Sequence, residues 1–266
     1  MSVFGPLAPL RAKPIPAPPE NGARGYRDLP IAFDGAANRE PLVALSGYGV
    51  RGENFYAQPR NPPYYEVIPG SISALYLRQG AAERLAAANA RLGEAGLELF
   101  VFDAWRPQAV QIYFYDRWLP AELRRRKPHL SAEQLGAEVQ NYWAAPSASA
   151  DTPSPHATGG ALDLTVRWRG GDPLWMGSLF DDASALSHTA RFEGEISPDG
   201  FSFSDEEARA NRRLLYWLMT EAGFASNPSE WWHFSFGDQM WAKLRGEPAA
   251  LYAGTEASSF RGNAEH

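Results

Sequence analysis

The 266-residue chain contains no cysteine, which excludes disulfide bonds, thiolate metal ligands and a cysteine nucleophile. It also lacks an apolar stretch near the ~20 residues that span a bilayer. Its first 30 residues lack the cationic start and continuous apolar run of a signal peptide. A net charge of -6 provides no basic surface for nucleic acid or an anionic membrane. We therefore expect a cytoplasmic protein that binds neither, unless a leader has been removed; the oligomeric state stays undetermined.

Proline is concentrated at the N terminus, where the ring and the missing N–H oppose helix formation. This composition predicts an extended, partly disordered arm over residues 1–24 and one domain over residues 25–266. The prolines concerned are Pro6, Pro9, Pro14, Pro16, Pro18 and Pro19.

Helical and strand patterns are mixed along the domain without regular alternation, which favours the α+β class. Apolar spacing predicts helices over residues 81–96, 108–119, 131–144 and 204–223, with capping boxes at Ser131/Gln134 and Ser204/Glu207. Period-two or continuous apolar runs predict strands over residues 97–107, 160–168 and 230–237.

Two of the five histidines lie close to a carboxylate in apolar surroundings: His156 precedes Asp163, and His233 follows Glu230. A catalytic zinc site needs about three such protein ligands and an open position for water. One histidine in an apolar strand is more often a core residue, but two such pairs favour a metal site. The other histidines, at positions 129, 188 and 266, lie in a basic segment, a polar segment and the terminus.

Local geometry permits the first pair to converge, because Gly159 and Gly160 allow the backbone to turn ahead of the strand that carries Asp163. The second pair is less regular. A spacing of three places Glu230 and His233 on opposite faces of a regular strand. Both can reach one metal only if the backbone bends, and Pro228–Ser229 favours a turn there.

Several motifs together resemble the zinc D-alanyl-D-alanine dipeptidases. "SPHATGGALDLT" resembles the family's S-x-H-x-x-G-x-A-x-D-L-T motif, and "EWWHF" resembles its E-W-W-H motif. Four further segments are similar and occur in the same order: "YGVRGENF", with one extra residue, "FDAWRP", "MGSLFDDASALSH" and "NRRLLYWLMTEAGF". The resemblance covers residues 45–240 and implies a D,D-peptidase/hedgehog-like fold, with a central, mostly antiparallel sheet flanked by helices.

The resemblance also implies a role for each matching residue. One zinc ion per chain would be bound by His156, Asp163 and His233. Glu230 would be the general base and Arg106 would support the transition state. The ammonium end of a small dipeptide substrate would be held by Ser154, Asp181 and Tyr48.

Other readings remain at this point. Arg106 could form a structural salt bridge with Asp103, and Asp181 or Asp182 could cap a helix. The whole chain could be a D,D-carboxypeptidase acting on peptidoglycan stem peptides, or a non-catalytic binding protein with a zinc site. The physiological role, whether glycopeptide resistance, cell-wall recycling or nutrition, stays open.

Overall fold

The computed structural model describes residues 3–143, 145–147, 149–194 and 202–255, which form a mixed α+β arrangement around one sheet. The strands are β1 (Leu42–Ala44), β2 (Arg51–Gly52), β3 (Tyr76–Arg78), β4 (Leu97–Asp103), β5 (Ala161–Trp168), β6 (Ala225–Ser226) and β7 (His233–Ser235). The helices are α1 (Ala8–Ala12), α2 (Gln79–Leu92), α3 (Gln108–Tyr113), α4 (Leu119–Arg126), α5 (Ala132–Tyr142), α6 (Phe203–Glu221) and α7 (Gln239–Arg245).

The central sheet has five strands in the order β2-β4-β5-β7-β6, and only the β2–β4 pair is parallel. The α+β class and the mostly antiparallel sheet expected from the sequence are therefore confirmed. Strands β1 and β3 form a separate antiparallel pair. Among the described residues, no helix combines the length and the apolarity needed to cross a bilayer.

The register of the three middle strands aligns three polar residues across the sheet. Asp103 at the end of β4 is paired with Asp163 of β5, and Asp163 is paired with His233 of β7. Residues paired directly across antiparallel strands present their side chains on the same face. The sheet thus assembles residues from three distant parts of the sequence at one place.

Apolar packing surrounds this polar row. Strand β5 is buried from Ala161 to Val166, and α2 and α6 contribute buried leucines to the same core, such as Leu85 and Leu215. Burying one leucine side chain contributes on the order of 2 kcal/mol. The polar row is therefore held in a rigid, well-packed part of the molecule.

Most predicted elements are present, but several differ in extent. The strand predicted over residues 230–237 is only His233–Ser235, and the one predicted over residues 97–107 ends at Asp103. The Ser131/Gln134 capping box is present, but α6 begins earlier than predicted. Its N-cap is Ser202, whose hydroxyl accepts a hydrogen bond from the Asp205 amide, and not Ser204. The predicted helix over residues 108–119 contains a π-helical turn at Phe114–Trp118.

The N-terminal arm is not wholly extended, contrary to the prediction from its prolines. It contains a short helix, α1, in which Pro9 lies in the first turn, where no backbone N–H is required. Leu7, 4% exposed, belongs to the main core. The arm is thus packed against the protein over its first half.

Arg212 on α6 connects the core to the loop that carries Asp181. Its buried guanidinium donates to the backbone carbonyls of Met176 (2.6 Å), His188 (2.6 Å) and Leu186 (2.7 Å). Three hydrogen bonds to both ends of one loop fix its path across the molecule.

Replacing Arg212 with alanine should lower the free energy of unfolding by roughly 3 kcal/mol, because its buried charge and packing are lost and three carbonyls lose a charged donor. Urea denaturation would measure the change. The matched control is Arg191→Ala, at an exposed arginine near the same loop, which should change stability by about 0.5 kcal/mol or less. Equal effects of the two substitutions would contradict the structural role of Arg212.

Candidate active site

The turn that carries His156 is set by two glycines. His156 lies in a 3-10 turn, Pro155–Thr158, which ends at Gly159 with φ = 74°. At Gly160, a Cβ atom would lie 2.2 Å from the carbonyl oxygen of Phe236, which directly follows β7. Only glycine permits both the left-handed turn and this close approach. The chain therefore reaches β5 directly after presenting the imidazole.

The side chains of His156, Asp163 and His233 converge on one point. His233 Nδ1 lies 3.1 Å from Asp163 Oδ1 and 3.1 Å from His156 Nε2, and His156 Nε2 lies 3.4 Å from Asp163 Oδ2. All three side chains are buried. One ligand atom from each residue lies within 4.8 Å of the others, so the set could hold one metal ion.

The remaining ring nitrogens have partners that orient the imidazoles. His156 Nδ1 lies 2.7 Å from the carbonyl oxygen of Ala104, so it is the protonated nitrogen when Nε2 is a ligand. His233 Nε2 lies 3.2 Å from Ser235 Oγ, which leaves Nδ1 facing the cluster. Although burial opposes ionisation of Asp163, the two imidazoles outweigh it and hold the pKa of this carboxyl below its usual value. The carboxylate is thus available as a ligand.

Arg106 follows β4 and is buried beside the cluster. Its Nε donates to Asp103 Oδ2 at 2.7 Å, and its Nη2 donates to Asp163 Oδ2 at 3.1 Å. Gln111 and Asn54, which the sequence did not single out, support this pair: Gln111 accepts from Arg106, and Asn54 donates to Asp103. The salt bridge between Arg106 and Asp103 is therefore present, and it holds the guanidinium against Asp163, a proposed metal ligand.

Glu230 lies in a turn that precedes β7 rather than in the strand itself. The amide of Glu230 donates to Asn227, and the amide of His233 donates to Glu230, so the backbone bends as expected. Glu230 Oε2 accepts a hydrogen bond from Asn227 Nδ2 at 2.8 Å and lies 3.8 Å from His233 Nδ1. Asn227 was missed in the sequence and orients Glu230. Burial raises the pKa of Glu230, and His233 opposes the rise.

Two tyrosines hold the Asp181 side chain. Its Oδ2 accepts hydrogen bonds from Tyr56 (2.8 Å) and Tyr64 (2.9 Å). It does not cap the short helix at Ala185–Ser187, whose N-cap is Ser184. Burial, followed by the negative charge of Asp163, raises the pKa of Asp181 to about 8.

Ser154 lines the same pocket, whereas Tyr48 does not lie among the described residues that line it. Tyr48 ends a 3-10 turn, Leu45–Tyr48, and packs against the main core. The tyrosine that reaches the site from this part of the chain is Tyr56, which follows the quoted "YGVRGENF" motif directly. Tyr48 thus does not face the site in this structure, whereas the Tyr56 hydroxyl contacts Asp181 and Arg106.

One pocket, about 670 Å³ in volume, brings these groups together. Its lining residues include Arg106, Ser154, His156, Asp163, Asp181, Glu230 and His233. A buried His–Asp–His cluster, with a carboxylate beside it and an arginine in contact, is the arrangement expected of a hydrolytic metal centre.

Comparison with known sequences agrees with a hydrolytic metal centre and identifies the protein family. The sequence profile of the Peptidase_M15 family, described as D-ala-D-ala dipeptidase, matches residues 71–247. The chain belongs to this D-Ala-D-Ala dipeptidase family.

Individual relatives carry the same description. The D-alanyl-D-alanine dipeptidase of Synechocystis sp. is 36% identical over 228 residues, which cover 82% of this chain and 88% of the relative. The enzyme of that name from Escherichia coli is 33% identical, over 53% of this chain and 55% of its own length. The one from Enterococcus faecium is 26% identical, over 72% and 88%.

The raised pKa of Asp181 predicts a pH effect on the metal-free protein. The folded chain keeps the proton up to about pH 8, whereas an ordinary carboxyl loses it near 3.8. The folded state binds more protons in this window, so the free energy of unfolding falls as pH rises through it. After metal removal, urea denaturation at about pH 5 and pH 8 should show a smaller fall for Asp181→Asn than for the unchanged chain. Equal falls would show that Asp181 ionises normally.

Proposed function

We propose that the chain hydrolyses D-alanyl-D-alanine, or a related D-configured dipeptide, with one zinc ion held by His156, Asp163 and His233. The observation that carries the proposal is the convergence of these three ligand atoms within 4.8 Å, with Glu230 beside them in one pocket. Membership of the D-Ala-D-Ala dipeptidase family supports the substrate class.

The donor set suits a catalytic zinc ion rather than a structural one. Two neutral imidazoles and one carboxylate are three protein ligands, whereas structural zinc sites generally have four. Within the described part of the chain, no second group of three such residues converges in this way. Zinc bound here would lower the pKa of a bound water to about 7 and polarise the peptide carbonyl.

Glu230 would act on the protons of the reaction. It would accept a proton from the attacking water and deliver it to the nitrogen of the leaving amino acid. Its raised pKa suits a group that must hold the proton between these two steps. The hydrogen bond from Asn227 keeps one carboxylate oxygen fixed while His233 lies nearby.

Arg106 would stabilise the negative charge that develops on the carbonyl oxygen. Its guanidinium is held by Asp103 and Asp163 and lines the pocket. A fixed cation needs little reorganisation as the charge forms, and losing one such donor costs about 10²–10³-fold in rate.

Asp181 would restrict the substrate to a free dipeptide. It lines the pocket and accepts hydrogen bonds from Tyr56 and Tyr64, and it could pair there with the substrate's ammonium group. A peptide blocked at that nitrogen could not form this pair and would lose the contact. This feature favours a dipeptidase over a D,D-carboxypeptidase.

Metal content provides the first check. The purified chain should bind about one zinc ion, and His156→Ala should lose most of it, because two ligands cannot hold the ion as tightly as three. Inductively coupled plasma mass spectrometry would measure the ratio. His129→Ala, at an exposed histidine, is the matched control and should keep the zinc. Equal zinc content in both variants would refute the ligand assignment.

Hydrolysis of D-Ala-D-Ala and of its N-acetylated form provides the second check. The free dipeptide should be cleaved, and the blocked one should react at least about 100-fold more slowly because it cannot pair with Asp181. Chromatography of released D-alanine would measure both rates. Equal rates would favour the carboxypeptidase instead.

The variant Glu230→Gln tests the role of the general base in the same assay. It keeps the size of the side chain and leaves the three proposed ligands intact, so zinc content should not change. Turnover should fall about 10²–10⁴-fold through loss of the general base. A variant that bound zinc and kept normal turnover would remove Glu230 from the mechanism.

A further inference from the structure

The N-terminal segment over residues 18–26 forms one wall of the active-site pocket. All nine of its residues line the pocket that also contains His156, Asp181 and Glu230. The segment lies outside residues 71–247, the part that matches the family profile. This wall contains none of the residues to which the family motifs assign a role.

The segment is anchored to α6 on its upstream side. Arg11 pairs with Glu207 at 3.0 Å, and the indole N–H of Trp217 donates to the carbonyl of Lys13 at 2.9 Å. The Lys13 ammonium group lies 3.2 Å from the centre of the Trp217 ring. These contacts fix the point from which the chain crosses the mouth of the pocket.

Its downstream side is anchored to α7. The Gln239 amide donates to the carbonyl oxygens of Arg27 (3.2 Å) and Leu29 (2.6 Å). Between the two anchors the backbone forms successive turns, with hydrogen bonds from Gly22 to Pro19, Arg24 to Asn21 and Tyr26 to Ala23. Because both ends are held and the middle is turned, the wall has a defined shape.

Two side chains of this wall have polar groups without a partner among the described residues. The Tyr26 hydroxyl is buried beside the Arg27 side chain, and no described residue accepts its proton. Arg24 is exposed, and no ion pair joins it to a described carboxylate. Arg24 and Arg106 are the arginines that line the pocket within the described chain, and Arg106 already pairs with Asp103 and Asp163.

A free dipeptide carries a carboxylate as well as an ammonium group. The proposed function assigns Asp181 to the ammonium group and Arg106 to the reacting carbonyl. The terminal carboxylate then needs a cation and a hydrogen-bond donor elsewhere in the pocket, because a buried charge without a partner opposes binding. In the wall, Arg24 is a cation and Tyr26 is a hydrogen-bond donor.

We propose that Arg24 and Tyr26 bind the terminal carboxylate of the dipeptide, so that the N-terminal segment determines recognition of that end. The inference rests on the proposed function. Burial raises the pKa of Tyr26, which keeps the phenol protonated and able to donate. Asp181 and the wall would then each recognise one end of the substrate.

The test compares D-Ala-D-Ala with D-alanyl-D-alaninamide, in which the carboxylate is replaced by a neutral amide. Calorimetry on zinc-loaded Glu230→Gln protein gives both dissociation constants without turnover. The acid should bind about tenfold more tightly than the amide, which is the effect of one charge-assisted contact. Arg24→Ala should remove this preference by weakening acid binding alone. Tyr26→Phe, which removes only the hydroxyl, should weaken acid binding about threefold to tenfold.

Glu20→Gln is the matched control, since Glu20 is an exposed charged residue of the same wall. Glu20→Gln should not weaken the binding of D-Ala-D-Ala. In protein that keeps Glu230, Arg24→Ala alone should raise the KM for the dipeptide with little change in kcat. Equal weakening of acid and amide by Arg24→Ala, or no weakening, would overturn the inference.

The two proposals fail in different ways. If the unchanged chain does not cleave D-Ala-D-Ala but Arg24→Ala still abolishes the preference for acid over amide, the proposed function fails and the carboxylate site stands. If the chain cleaves the dipeptide and Arg24→Ala keeps the preference, the carboxylate site fails and the function stands.

Discussion

The Asp163 carboxylate is the interaction on which the site depends. Its Oδ1 faces His233, and its Oδ2 faces both His156 and Arg106, at distances of 3.1–3.4 Å. Without the guanidinium and the two imidazoles, burial would disfavour the charged carboxylate. The pairing of β5 with β4 and β7 fixes this geometry, because it puts Asp103, Asp163 and His233 in one row. The strand pairing that holds the sheet together therefore also positions the chemical groups of the site.

Three of the carboxylates that line the pocket differ in pKa because their surroundings differ. The imidazoles lower the pKa of Asp163, which suits a ligand. Burial raises the pKa of Glu230, which suits a group that carries a proton. Burial raises the pKa of Asp181 to about 8, although two tyrosines donate hydrogen bonds to its carboxyl group. A cationic substrate group beside Asp181 would favour its charged form. One fold thus gives chemically similar side chains different roles.

Local patterns predicted much of the fold, and the motifs predicted most of the residues that converge. The alternation over residues 160–168 and the Ser131/Gln134 box each have a local physical cause, and both are present. Contacts between distant segments were beyond local patterns. Tyr56 and Asn227 became recognisable only once the fold placed them beside Asp181 and Glu230. The arm was mispredicted because Pro9 occupies a first helical turn, where proline is tolerated.

X-ray absorption at the zinc edge of the zinc-loaded protein tests the central claim most directly. Three ligands converging on one ion predict about two imidazole nitrogens and a carboxylate oxygen at roughly 2.0–2.2 Å, with one further oxygen from water. Glu230→Gln, which keeps all three proposed ligands, should give the same spectrum. A spectrum without imidazole scattering would contradict the account.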